Sequence, residues 1–301
     1  MTGSPVSSAN KISFSDKTTL LADLKDRIAG IERTGGMAER VDQTDVVPLG
    51  VDDLDGALPG GGLARGRLHE VASTGGRGKG QRLEGDVAAL GFAAALVGRA
   101  AGTCPNTGGA VLWCTNRKSL YHAGGLHGPG LSTFGVDARR LVLIDGMDDT
   151  QVLWAMEEGL RSGALSAVAG EVGNLTLAAS RRLQLAAEAG GGLGLLVRVS
   201  TKKTAKTVTA ATTRWEVAVA ESAKPERLEG LGQAHWDVRL ARCRGGSERQ
   251  WRVEWNHETH CFAVVAPVAG QPAVPGAATH TGSASGEIVA QVTTLPRRAL
   301  G

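Results

Sequence analysis

The chain has 301 residues, 42% hydrophobic and 21% charged, with a formal net charge of +3. That balance predicts one substantial core with appendages, and the small charge permits nucleic-acid contact without arguing for it. The four cysteines (Cys104, Cys114, Cys243, Cys261) form no CxxC pair, which argues against a zinc site or a disulfide framework.

No apolar run reads as membrane-spanning, and the opening MTGSPVSSANKISFSD lacks a signal-peptide core, so the expectation is a soluble cytoplasmic protein without membrane contact. Residues 1–17 are polar and predicted to be disordered. From Thr18 to Arg33, Leu20, Leu21, Leu24, Ile28 and Ile31 recur at helical spacing, the pattern of an amphipathic helix of about four turns. Gly35-Gly36 and a polar connector complete an N-terminal unit, 18–44. Such a tethered helix folds back on its own domain or docks on another subunit or partner, and both readings stay open.

The core is predicted over 45–266. It opens with PLGVDDLDGALPGGGLARGRLHEVASTGGRGKG, residues 48–80. Leu54 and Leu58 suggest a helical turn, the glycines after Pro59 break it, and Gly66–Val71 reads as a strand. A glycine-rich loop and a long apolar helix follow. Strand, glycine loop and helix is the geometry in which backbone N–H groups cradle a phosphate, with the working pattern GxxxxGK(T/S). Gly78 and Lys79 stand where that pattern needs them. Ser73 replaces the first glycine, and Gly80 replaces the hydroxyl residue that holds magnesium. The same letters also suit a surface loop that contains Gly-Lys by chance.

Leu83 to Arg99 reads as a buried helix carrying Val87, Leu90, Phe92, Ala95 and Leu96. Ala110–Cys114, Leu141–Ile144, Ser166–Glu171 and Gly194–Val199 are continuous apolar strands of the kind buried on both faces of a parallel sheet. Helices over Thr150–Arg161 and Leu175–Glu188 alternate with them, which predicts an α/β fold with a mostly parallel sheet. Cys114 reads as a small core residue.

Beyond Ser200 the texture changes. Thr201–Thr213 is a basic, threonine-rich loop with Lys202, Lys203 and Lys206. Arg214–Val219, Trp236–Arg244 and Trp251–Trp255 alternate like half-exposed strands, an antiparallel extension of the sheet. From Arg198 to Trp255 the chain holds 12 basic and 7 acidic residues, a local excess of +5. His257-Glu258-Thr259-His260-Cys261 contains metal-ligand residue types but has no second ligand cluster, and it reads as an exposed turn. The tail 267–301 is rich in Gly, Ala, Thr, Pro and Ser, a composition that predicts disorder.

The ordered segments GGLARGRLHEV, VLWAMEEGLRSGALSAVAGE, SRRLQLAAEAGG, TTRWEV and RCRGG resemble the RecA core in outline. More closely they resemble the ImuA family, RecA-like accessory proteins of a bacterial damage-inducible mutagenesis cassette. The likeness covers roughly residues 45–255. It implies partnership with ImuB, a polymerase-like protein lacking catalytic residues, and with an error-prone C-family DNA polymerase in translesion synthesis. It requires no cofactor, although ATP with magnesium is the ligand a RecA-like core takes.

The same resemblance assigns positions. Asn116 falls where RecA-type ATPases place the glutamate that activates water, and Ser200 where they place the switch glutamine. Glu171 falls on the carboxylate that holds magnesium through water. Together with Ser73 and Gly80 these departures predict loss of efficient hydrolysis, because phosphoryl transfer depends on such parts acting together. Arg214 falls where RecA offers a basic residue across the subunit interface, or is a surface arginine on an edge strand. Thr201–Thr213 falls on the second DNA-binding loop, where three lysines without an aromatic imply at most weak, salt-sensitive contact with single-stranded DNA. Self-association is a further implied contact. The alternative reading is a nucleotide-binding switch or weak ATPase that binds single-stranded DNA.

Overall fold

The computed structural model describes residues 46–74, 79–102, 109–117, 126–198, 207–222 and 233–267, all within one compact unit. Outside these residues lie the disorder expected over 1–17 and over the tail 267–301 (apart from Pro267, which instead ends a strand), the N-terminal helix with Leu20, Leu21, Leu24, Ile28 and Ile31, and Cys104. Gly78, Ser200, Lys202, Lys203 and Lys206 lie outside them too.

Eleven strands and five α-helices follow one another among the described residues. In chain order they are β1 (Val46–Val47), α1 (Asp52–Asp55), β2 (Leu63–Ala64), β3 (Leu68–Ser73), α2 (Lys79–Gly102) and β4 (Val111–Asn116). Next come α3 (Gly128–Ser132), β5 (Leu141–Met147), α4 (Asp149–Arg161), β6 (Ala167–Val172), α5 (Leu177–Gly190) and β7 (Leu193–Arg198). The last four are β8 (Thr213–Ala220), β9 (Ala234–Cys243), β10 (Arg249–Asn256) and β11 (Cys261–Pro267).

Nine strands form one sheet in the order β11-β10-β9-β8-β3-β7-β6-β4-β5. The six from β8 to β5 are mutually parallel, and β9, β10 and β11 add antiparallel. This is the mostly parallel α/β sheet with an antiparallel extension that the sequence predicts. β1 and β2 form a separate two-stranded ribbon.

The period-two alternation of a strand divides the core between the two faces. Val111 and Trp113 of β4 pack on the α2 side, with Phe92, Leu96, Leu195 and Val197. Leu112 and Cys114 pack on the other side, with Met156 and Leu160 of α4 and Leu183 of α5. Cys114 is a core residue as expected, and burial pushes its thiol up to about 12.

Aromatic rings join α2 to the antiparallel strands. Phe92 lies 5.7 Å from Trp215, 6.0 Å from Trp236 and 5.4 Å from Phe262, separations at which ring pairs attract beyond their area burial. Phe134 stacks on Trp236 and Trp255, and Trp255 Nε1 donates to the Thr133 carbonyl at 3.0 Å. Gly98 lets this segment close on α2, since a Cβ there would lie 1.8 Å from the Phe134 carbonyl oxygen.

Local signals set the helix ends. Asp148 caps α4 in a reciprocal capping box with Gln151, and Thr176 accepts the Ala179 N–H at the start of α5, each satisfying orphan donors of a first turn.

Four expectations need correction. Val87 is 49% exposed, because it lies on a different face of α2 from Ala88, Ala89 and Phe92, which pack into the core. The residues after the His257–His260 turn form β11, where the run CFAVVA was too short after a polar turn to register as a strand. The short helix α3 between β4 and β5 has no counterpart in the sequence reading. Leu83–Gly102 is long and apolar enough to cross a membrane by length and composition, contrary to the sequence reading, yet it supplies much of the buried core.

Candidate functional site at the C-terminal edge of the parallel strands

Parallel strands end together, so β3, β4, β6 and β7 deliver their last residues to one edge, the usual place for a ligand crevice in an open α/β sheet. Ser73 closes β3, and Lys79 and Gly80 open α2. Asn116 closes β4, Glu171 lies one residue from the end of β6, and Arg198 closes β7.

The polar groups at this edge bond to one another. Glu171 is 2% exposed. Its Oε1 accepts from Trp113 Nε1 at 3.2 Å and its Oε2 from the Asn116 N–H at 3.4 Å. Asn116 Nδ2 donates to Asp149 Oδ1 at 2.8 Å. Asp149 also accepts from the Gly173 N–H at 2.8 Å and the Asn174 N–H at 3.0 Å, which ties the start of α4 to the turn after β6. Thr115 Oγ1 donates to Asp145 Oδ1 at 2.7 Å.

A second network lies deeper, around the fully buried Glu70 of β3. Glu70 Oε1 accepts from Arg214 Nη2 at 2.9 Å and lies 3.5 Å from Arg198 Nε. Its Oε2 accepts from Thr209 Oγ1 at 2.7 Å. Arg198 Nη2 donates to the Gly173 carbonyl at 3.1 Å, and burial holds this guanidinium below its ordinary pKa, with Glu70 opposing that shift. Arg242 donates to the Thr209 and Ala211 carbonyls at 2.9 and 2.6 Å. One carboxylate therefore gathers the residue before segment 199–206 and two residues after it.

Arg214 corrects the surface reading. β8 runs between β3 and β9 and is no edge strand, and the Arg214 side chain is 17% exposed, bonded to Glu70. Several basic residues of the C-terminal strands pair with acidic residues of the same region, which leaves the local excess of +5 in place. Arg239 pairs with Glu216 and Glu248, Arg252 with Asp237, and His235 with Glu254.

Three residues of this edge depart from the magnesium-nucleotide site that the resemblance implies. Both Glu171 oxygens already accept N–H groups, Asn116 has no carboxylate, and Gly80 has no hydroxyl. Among the described residues no group of three or more His, Cys, Asp or Glu side chains could hold a metal ion. The structure brings Asn116 and Glu171 together and gives Arg214 an internal partner. Sequence reading passed over Glu70, Asp149 and Arg198. The available signals were a glutamate within a buried strand and an arginine ending one.

No family model matches the chain. Proteins described as Protein ImuA from two strains of Caulobacter vibrioides are 34% identical over 236 residues, covering 75% of this chain and 91% of their own length. Among solved structures, the RadB recombinase is 14% identical with a TM-score of 0.45, covering 73% of this chain and 100% of that one.

Proposed function

The chain belongs to the ImuA family, and from that premise we propose that it is a non-hydrolysing, RecA-like accessory protein in damage-inducible, error-prone DNA synthesis. It acts in the cytoplasm with an ImuB-like protein and a C-family DNA polymerase. The apolar stripe Leu20, Leu21, Leu24, Ile28 and Ile31 serves as its partner- or self-docking element. Lys202, Lys203 and Lys206 make at most a weak contact with single-stranded DNA backbone.

The observation that carries this reading is the fate of Asn116. It stands where hydrolysis would need a glutamate, and its amide is committed to Asp149 at 2.8 Å. A general base must reach the proton it abstracts, and the neighbouring Glu171 is buried with both oxygens engaged. A chain with these features is better suited to holding partners than to turning over nucleotide.

The test is co-purification of the full chain with the ImuB-like protein, with and without ATP and magnesium. This reading expects a stable complex that is indifferent to nucleotide. A complex that forms only with ATP and magnesium would favour the nucleotide-switch reading, and no complex in either condition would overturn the partnership.

A further inference from the structure

The nine-stranded sheet ends on β11 at one side and on β5 at the other, and among the described residues each has a single neighbour. A terminal strand presents unpaired N–H and C=O groups, which proteins commonly blunt with proline or charged side chains. β11 ends on Pro267. β5 reads LVLIDGM, with no proline and with Asp145 as its one charge. Its stretch Leu141–Ile144 runs in unbroken register with Val111–Cys114, and the irregularity in that pairing comes only afterwards. Val142 is 53% exposed, and Leu141, Leu143 and Ile144 are half-buried. The inner strands β4, β6 and β7 are buried throughout. Four consecutive apolar residues therefore lie along an open edge.

The flanking charges say what pairs with that edge. Asp137–Arg140, just before the strand, holds two arginines and one aspartate, and Asp145–Asp149, at its end, holds three aspartates and no base. The stretch is basic at its start and acidic at its end, so its own copy laid antiparallel meets each end with the opposite sign. A two-fold axis normal to the sheet keeps every side chain on its own face, so the axis passes through a residue and not between two. With the axis at Val142, Val142 meets its own copy, Leu141 meets Leu143 of the second copy, and Arg139 meets Asp145 of the second copy. With the axis at Leu143, Asp145 falls opposite Leu141, so charge selects Val142. The Arg139 side chain is 89% exposed and pairs with Asp137, and Asp145, also exposed, accepts from Thr115. Cross-copy pairing adds to these contacts. Such surface pairs set the register and contribute little energy, and the apolar cross-strand pairs carry the contact.

We propose that β5 is a self-docking edge: two copies of this chain pair antiparallel through Leu141–Ile144 about a two-fold axis at Val142, joining their sheets into one. The inference does not rest on the proposed function.

Light scattering of the purified full chain over a dilution series tests it. The expected result is a dimer that dissociates on dilution. Val142→Asp sets two like charges opposite each other on the axis and leaves a monomer. Val265→Asp, at a 47% exposed position of β11, leaves the dimer intact. Arg139→Glu weakens the dimer and Arg139→Glu/Asp145→Lys restores it, a reading of the register that does not depend on Val142→Asp folding. Unchanged circular dichroism shows which variants are folded. A native chain that is monomeric at every concentration overturns the proposal. So does a dimer that survives both Val142→Asp and Arg139→Glu but is lost in Leu24→Asp/Ile28→Asp, which places self-association on residues 18–33. A mass that climbs past two copies also overturns it, because an edge used head to tail grows an open assembly.

Discussion

Glu70 and Arg214 are 144 positions apart in the chain and meet at 2.9 Å in the interior, with Arg198 3.5 Å from the same carboxylate oxygen. Removing one partner of a buried pair leaves uncompensated charge and costs about 3–5 kcal/mol. Glu70→Gln keeps the shape and removes the charge, so it should destabilise by roughly that amount. Arg214→Met in the Glu70→Gln background should cost less than Arg214→Met alone. Urea unfolding of the four members of this cycle checks both statements. Additive losses would show that the pair does not interact energetically.

His69 predicts a pH dependence. Its Nε2–H donates to the Ala64 carbonyl at 2.9 Å, and its Nδ1 accepts from Thr213 Oγ1 at 2.8 Å. Thr213 in turn accepts from Trp215 Nε1 at 3.0 Å, so the chain of bonds suits a neutral imidazole. Burial is the main cause that lowers the pKa from 6.5 to about 4. The unfolded chain therefore takes up this proton first. Stability from His69 is complete above pH 6.5 and is lost as pH falls from 6.5 towards 4, on the order of 3 kcal/mol. His69→Gln should flatten that part of the stability profile, as measured by urea midpoints across this range.

Gly98→Ala should be strongly destabilising for its size. Its Cβ would meet the Phe134 carbonyl oxygen at 1.8 Å and the carbonyl carbon at 2.9 Å, and backbone cannot rotate away as a flexible side chain can. Displacing Phe134 would also loosen its stacking on Trp236 and Trp255. A loss of about 1–3 kcal/mol or more, with a change in near-ultraviolet circular dichroism from the tryptophans, is the expected outcome. Gly102→Ala, whose Cβ would meet nothing within 4 Å, serves as the control.

The parallel core was legible because each buried strand is an uninterrupted apolar run. Val168 and Leu196 face one helix layer while Ala169 and Leu195 face the other, so neither position admits a polar residue. The Glu70 network was not legible. A glutamate within LHEVAS looks like the outward residue of a half-exposed strand until both faces are seen to be covered. Its partners lie in segments that folding alone brings together. Arg198 has no role in the sequence reading, where it lies within the strand Gly194–Val199, for the same reason. β11 was missed because a turn with a left-handed His260 separates it from β10 and the low-complexity tail begins directly after it. The altered positions at the sheet edge were visible as letters. That Glu171 has its oxygens occupied depends on Trp113, 58 residues away, and needed the structure.

The central claim, a family member that does not hydrolyse ATP, is tested most directly by single-turnover assays of the purified full chain beside Lys79→Ala. The account predicts no phosphate release above background in either protein, with single-stranded DNA present or absent. Turnover by the native chain that disappears in Lys79→Ala would contradict it, and would mean that the groups around Asn116 and Glu171 rearrange into a working site.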